Sequence, residues 1–333
     1  MYDGVLSAIG NTPLVRLTRI FEHMQFSLYA KLEALNPGGS IKDRPAINII
    51  RQGIQTGAIG SDTVVVESSS GNMAIGLAQV CSRLGLRFIC VIDPKTTMQN
   101  IRILEAYGVE VQMVNNPDPI TGEFLQARIN RVRELVDSNE NIFWPNQYEN
   151  LYNAQAHYQT MHEIATALGT VDYLFCATST CGTLRGCAEY ISEQGLKTKI
   201  FAVDAVGSVV FGGTSAKRLI PGHGASMVPR LFKPGLADEC IKVTDLSCVV
   251  ACHRLVRRES ILAGGSSGAV IAAIETVKHR IPPNAVCVAI LPDRGERYLD
   301  TVYSSEWIEE HFGNVSHLWQ ERAKLEQCHS VAC

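Results

Sequence analysis

The feature that most constrains this chain is alternation. Short runs rich in Val, Ile and Phe give way repeatedly to longer segments whose apolar residues recur at helical spacing. The pattern predicts strands over 28–33, 63–67, 87–92, 110–114, 172–176, 199–203, 241–244 and 286–291. Between them it predicts helices over 41–55, 72–84, 98–107, 123–137, 154–168, 184–193, 246–260 and 269–278. Several strand runs are apolar throughout, as parallel strands covered by helices on both faces are. The expected fold class is α/β and doubly wound.

At 333 residues the chain is near the size at which one hydrophobic core stops growing. Two lobes are expected, although no Pro/Ser linker or fixed-period repeat marks a boundary. The amide-rich, aromatic stretch 143–152 and the turn 36–39 are the expected crossing points. They divide the chain into a larger lobe of residues 1–38 plus 148–315 and an inserted smaller lobe of residues 39–147. Residues 316–333 are expected to form a flexible tail, since 320–333 carry mixed charge and no apolar face.

Apolar residues make up 46% of the chain and charged residues 19%, which suits a globular protein and not a disordered one. A net charge of -3 offers no basic field to nucleic acid or anionic membrane, so the expected partner is a small molecule. Eleven cysteines, an odd number scattered through apolar stretches, suit buried free thiols in a reducing compartment. The first residues lack the charged and apolar regions of a signal peptide, and no window approaches the length of a membrane helix. A cytoplasmic protein is expected.

Four Gly/Ser-rich turns fall where helices are predicted to begin: 37–40, 68–72, 179–183 and 264–268. Three of them are expected to follow strands directly. Such turns leave backbone N–H groups free along a helix axis whose dipole favours negative charge. Any single one could be an ordinary turn; four together, converging on the carboxyl edge of a parallel sheet, suggest a ligand with an anionic group. Neither Gly-x-x-x-x-Gly-Lys-Ser/Thr nor Gly-x-Gly-x-x-Gly occurs, which disfavours ATP and NAD.

Lys42 follows Gly38-Gly39-Ser40-Ile41 and begins a helix that Ser40 is expected to cap. An amine at the positive end of a dipole is more readily neutral and so able to attack a carbonyl. Alone, Lys42 could be a solvated lysine in a polar first turn. Beside three further anion cradles, a Schiff base to pyridoxal 5'-phosphate fits better, because that cofactor carries both an aldehyde and a phosphate.

Other chemistries find less support. Gly264-Gly265-Ser266-Ser267-Gly268 also satisfies the nucleophile-elbow pattern, yet an acid and a histidine, His311 or His317, would have to come from the final segment. His157 and His162 diverge on a helix, and Cys248, Cys252 and His253 lack a second zinc-spaced pair. Cys328-His329 and Cys333 fall in the tail, so no metal is expected.

Several spaced motifs occur in order: Ile9 to Leu14, Pro37-Gly38-Gly39-Ser40-Ile41-Lys42-Asp43-Arg44, Ser70-Gly71-Asn72, Gly264 to Gly268, and Leu291-Pro292-Asp293 with Gly295 to Leu299. Together, spanning residues 5 to about 310, they resemble the cysteine synthase family of fold-type II pyridoxal-phosphate enzymes. The resemblance implies a tryptophan synthase beta-like fold with two open, twisted, mostly parallel sheets flanked by helices. It further implies that Lys42 is the Schiff-base lysine and moves the substrate α-proton. Asn72 would donate to the cofactor's ring hydroxyl. Ser179, Thr180, Cys181, Gly182 and Thr183 would bind its phosphate, and Ser266 would be the neutral partner of its pyridine nitrogen. Ser69, Ser70 and Gly71 would grip the amino-acid carboxylate, with Gln147 as a further substrate residue. The implied reaction is loss of a β-leaving group from a serine derivative, giving an aminoacrylate that a nucleophile attacks. A homodimer is also implied.

Departures from ordinary cysteine synthases are changes of polarity. Ser-Thr-Cys-Gly-Thr replaces Gly-Thr-Gly-Gly-Thr, Tyr148 stands for a phenylalanine, and 220–226 ends in Ser226. They suggest a nucleophile larger and more polar than sulfide. Val203-Asp204-Ala205 with Gly207-Ser208-Val209, then Gly224-Ala225-Ser226, then Asp293-Arg294-Gly295 with Tyr298-Leu299-Asp300, resemble a branch of the family, the N-(2-amino-2-carboxyethyl)-L-glutamate synthases of siderophore and 2,3-diaminopropionate biosynthesis. That branch joins O-phospho-L-serine to L-glutamate and releases phosphate. Two glutamate carboxylates call for an Arg fork. Arg128, Arg218 and Arg294 are candidates, and Arg128, Tyr148 and Ser179 are expected to help hold glutamate. A solvated helix-face arginine is the plain alternative for Arg128, a sulfide-using cysteine synthase is the alternative for the chain, and a non-catalytic regulatory relative is the remote one.

Overall fold

Two separate sheets organise the chain in the computed structural model, which describes residues 4–320. The strands are β1 (Leu14–Leu17), β2 (Ser27–Leu32), β3 (Val64–Ser68), β4 (Arg87–Ile92), β5 (Glu110–Met113), β6 (Ile142–Phe143), β7 (Tyr173–Ala177), β8 (Lys199–Ala205), β9 (Glu239–Val243) and β10 (Val286–Leu291). The helices are α1 (Asp43–Gln55), α2 (Asn72–Leu84), α3 (Met98–Ala106), α4 (Phe124–Ser138), α5 (Leu151–Leu168), α6 (Gly182–Glu193), α7 (Asp245–Glu259), α8 (Gly265–Val277) and α9 (Ser305–Phe312). The first sheet has the order β1-β2-β10-β7-β8-β9 and the second β5-β4-β3-β6. Every pairing is parallel except β1 with β2.

The local chemistry fixes where these elements start and stop. Thr97, Asn150, Thr244 and Ser304 cap α3, α5, α7 and α9 by accepting a backbone N–H, and Gly85 ends α2 in the left-handed conformation. Helix α8 is buried almost all round because Ala269 to Ile274 pack into the core of the larger sheet. Helices α5 and α6 approach closely at Gly186, where a Cβ would fall on the Ala154 carbonyl.

Three expectations need correction. The turn 264–268 follows α7 through a loop, not a strand, and 37–40 follows a 3-10 turn at Glu33–Leu35, so only two of the four turns follow strands. A nucleophile elbow, which needs a strand leading into Ser266, is therefore ruled out. Helix α1 starts at Asp43, with Lys42 itself at the cap position; Ser40 Oγ accepts the Lys42 N–H at 3.2 Å without capping the helix. Strands β1 and β6 and helix α9 add to the elements the periodicity predicts.

His157 is buried and bonds Thr160, His162 reaches Tyr190, and Cys248 and Cys252 pack in the core. Among the described residues no group of His, Cys, Asp and Glu could hold a metal ion, and no helix is long and apolar enough to cross a membrane. Cys328, His329 and Cys333, and most of the expected tail, lie outside the described residues.

Candidate active site

The carboxyl ends of β7 and β10 in one sheet and of β3 in the other carry the segments that the sequence singles out. Ile41 N–H donates to the Pro292 carbonyl at 2.7 Å, and Gly264 N–H to that of Asp293 at 3.1 Å, so the Lys42 turn, the segment after β10 and the start of α8 lie side by side. Helix α2 joins them through Gly76, where an added Cβ would come within 3.1 Å of the Lys42 carbonyl oxygen. Asn72 Nδ2 then reaches Asp293 Oδ2 at 2.6 Å.

Lys42 makes no ion pair or hydrogen bond through its amine among the described residues. Burial is the largest influence on it and lowers its affinity for a proton, against the opposing pull of Cys176, Cys181 and Asp293. Those neighbours place the amine beside the end of β7 and the 178–183 turn. Burial pushes both thiols up to about 12, so they are neutral and unreactive.

The 178–183 turn enters α6 through Cys181 in the left-handed conformation, and no side chain caps the helix. The first N–H groups of α6 therefore lack an intrahelical acceptor. Thr180 Oγ1 accepts from Asn153 Nδ2 and from Gly182 N–H, both at 3.3 Å. A Cβ on Gly182 would fall on the Asn153 amide, so only glycine fits there. Helix α8 likewise starts at Gly265, after Gly264 at the cap position, without a side-chain cap, and Ser266 is buried in its first turn. An uncapped helix end beside a half-buried, unpaired amine, with buried hydroxyls around it, suits a group carrying a phosphate and an aldehyde.

The turn after β3 behaves differently. Ser69 Oγ accepts from Ala74 N–H at 3.2 Å, so this hydroxyl already serves the start of α2 and only its O–H is left to donate. The Ser70 carbonyl is held by Asn100 Nδ2 at 2.9 Å. Gln147 is buried, its N–H directed at Glu67 and its carbonyl at Asn153.

Arg128, Tyr148 and Ser179 come together. Arg128 is buried on α4, not solvated; its Nε lies 3.2 Å from Asp93 Oδ2, while Nη1 has no partner among the described residues. Burial raises the Tyr148 hydroxyl, which bonds Ser179 and feels the charges of Arg128, Glu67 and Arg218. Arg294 is instead tied to the Ala34 carbonyl and packs over Gly39, away from that cluster.

Some residues that build the site had no role assigned from sequence. Glu67 accepts from Ser68 N–H, Trp144 Nε1 and Gln147 N–H, and burial raises its carboxyl to about 7. Its one legible signal is a carboxylate at the end of an apolar strand run. Arg44 forms a fork with Glu33 at 2.7 and 2.8 Å and a second with Glu163 at the same two distances, while Lys31 also pairs with Glu163. This buried network anchors α1 two residues after Lys42.

The pyridoxal-phosphate dependent enzyme family matches residues 5–293. The chain belongs to that family. Pyridoxal 5'-phosphate is its cofactor, and its architecture is that of the fold-type II enzymes. It is 45% identical over 311 residues to an N-(2-amino-2-carboxyethyl)-L-glutamate synthase of Cupriavidus metallidurans, covering 92% of this chain and 91% of that one. A protein of the same description from Ralstonia nicotianae is 45% identical over 307 residues, covering 92% and 90%. Among solved structures, the O-acetylserine dependent cystathionine beta-synthase of Helicobacter pylori matches with a TM-score of 0.85 at 30% identity, covering 91% and 99%.

Proposed function

We propose that this pyridoxal-phosphate enzyme joins O-phospho-L-serine to L-glutamate, giving N-(2-amino-2-carboxyethyl)-L-glutamate and phosphate on the way to 2,3-diaminopropionate. The Cβ–O bond of the serine ester breaks, phosphate carries off its electron pair, and the glutamate nitrogen, having lost a proton, forms the new Cβ–N bond. The observation that carries the reading is the Arg128, Tyr148 and Ser179 cluster at the 178–183 turn, in a chain 45% identical to relatives bearing that activity's name.

When bound, pyridoxal phosphate supplies an aldehyde for amines and a conjugated ring that draws electrons from the substrate α-carbon. Lys42 Nζ, favoured as a neutral amine by burial, would anchor the aldehyde and would then take and return the α-proton. The free N–H groups at the start of α6, with Ser179, Thr180 and Thr183, hold the phosphate. Asn72, itself oriented by Asp293, would donate to the ring hydroxyl, and Ser266 would offer the ring nitrogen a neutral hydroxyl. Ser69, Ser70, Gly71 and Gln147 hold the α-carboxylate of the serine substrate. Arg128 then gives glutamate a charged fork that sulfide would not need.

The two sheets support a division into lobes, with residues 39–147 as the smaller, mobile one that excludes water when it closes. A homodimer in the cytoplasm completes the proposal. The test is to incubate the holoenzyme and O-phosphoserine with each nucleophile in turn and weigh the products by mass spectrometry. A glutamate adduct is expected. Product with sulfide but none with glutamate would instead identify a cysteine synthase, and no spectral response to any serine derivative would identify a binding module.

A further inference from the structure

His223 is 2% exposed in the connection between β8 and β9, and neither ring nitrogen has a hydrogen-bond partner among the described residues. A neutral imidazole carries one N–H donor and one acceptor, and leaving both unmet when buried is unfavourable. A partner that arrives with a ligand resolves that cost.

The surroundings indicate which ligand. Gly224 N–H donates to the Thr178 carbonyl at 2.7 Å, and Leu231 N–H to the Tyr148 carbonyl at 3.3 Å. Ala225 N–H is held by Ser208 Oγ at 3.0 Å. These bonds lay the His223 loop across the 178–183 turn and the Tyr148 segment. Arg218 belongs to the same connection, is tied through Nη1 to the Gly207 carbonyl at 3.1 Å, and acts electrostatically on both Tyr148 and His223. Burial, then Arg218, holds the imidazole down at about 4. At neutral pH the positive charge is therefore Arg218's, and His223 adds a directed, uncharged hydrogen bond.

We propose that His223 and Arg218 form an oxyanion subsite at the rim of the 178–183 turn, taking a phosphate or carboxylate oxygen of a substrate. Two groups of the proposed reaction have that chemistry: the phosphate of the serine ester and the side-chain carboxylate of the amino-acid nucleophile. The inference rests on the β-replacement reading above and extends it to a residue with no assigned role.

The experiment compares the wild-type holoenzyme with His223→Leu and His223→Asn, after visible absorbance and thermal melting show that each variant folds and retains cofactor. One arm measures selectivity for O-phosphoserine over O-acetylserine; the other measures selectivity for glutamate over glutamine. The subsite predicts that Leu lowers one of these ratios roughly tenfold or more and that Asn, which keeps a donor, restores part of it. The arm that moves identifies the anion. Both ratios unchanged in His223→Leu, or a loss that the neutral substrates share equally, would overturn the subsite while leaving the reaction in place. A wild-type enzyme that turns over no serine ester would overturn the reaction itself, and the subsite with it.

Discussion

Asn72 Nδ2 donates to Asp293 Oδ2 at 2.6 Å, tying the start of α2, at the edge of the four-stranded sheet, to the segment that follows β10 in the six-stranded one. Tyr298 donates to the same oxygen at 2.5 Å, and Arg297 holds the Asn72 carbonyl oxygen from the other side. Asp293→Ala strips two half-buried donors of their acceptor. It should lower the unfolding free energy by about 2–5 kcal/mol and weaken cofactor retention, checked by denaturant titration and visible absorbance after dialysis. Tyr298→Phe, which removes one donor, should cost less than half as much.

The Arg44 network makes a pH prediction. Burial alone would raise the Glu163 carboxyl, but the bonds from Arg44 and Lys31 outweigh it and hold it at about 2. A depressed acid contributes stability that is complete above its unfolded value, about 4.3, and is lost as pH falls toward 2. Glu163→Gln should therefore cost most near neutrality and progressively less below about pH 4. Arg44→Met leaves two buried carboxylates without their fork and should cost about 3–5 kcal/mol by denaturant titration at pH 7.

Glu67 behaves oppositely. Burial raises its carboxyl to about 7, against the bonds from Trp144, Ser68 and Gln147. Between its unfolded value and about 7 the native state holds a proton that the unfolded chain has released, so this group makes stability fall as pH rises through that window. Glu67→Gln should flatten that slope, measured as the unfolding free energy from about pH 4.5 to 8. It should also reduce turnover, because an amide NH2 in place of a carboxylate oxygen would face a backbone or indole N–H.

Gly182→Ala tests the phosphate cradle. The added methyl collides with Asn153, whose Nδ2 holds both Thr180 Oγ1 and the Gln147 carbonyl. Titrating apoenzyme with pyridoxal phosphate should show affinity reduced roughly tenfold or more, with secondary structure unchanged by circular dichroism.

Arg128→Ala should raise the KM for glutamate several-fold while changing the KM for O-phosphoserine little, read from steady-state kinetics with each substrate varied. An unchanged glutamate KM would contradict the role given to Arg128.

Much of this fold is legible in the sequence for a physical reason. Strands β3, β4, β7, β8 and β10 are covered on both faces and so read as apolar runs. Strand β1 is short, antiparallel and at an edge, and β6 has two residues, so neither carries a periodic signal. Lys42, Asn72 and the 179–183 turn are legible because anion and carbonyl chemistry needs Gly, Ser and Lys within a few positions of one another. The Arg44–Glu163 fork joins residues 119 positions apart, and Arg297 reaches Asn72 across 225. No local pattern encodes such pairs.

The proposed chemistry turns on one amine, that of Lys42. Reduction of the cofactor-saturated enzyme with sodium borohydride, followed by proteolysis and mass mapping, should place a pyridoxyl group on the peptide containing Lys42 and on no other lysine. A pyridoxyl group on a different lysine, or none anywhere in saturated protein, would contradict it.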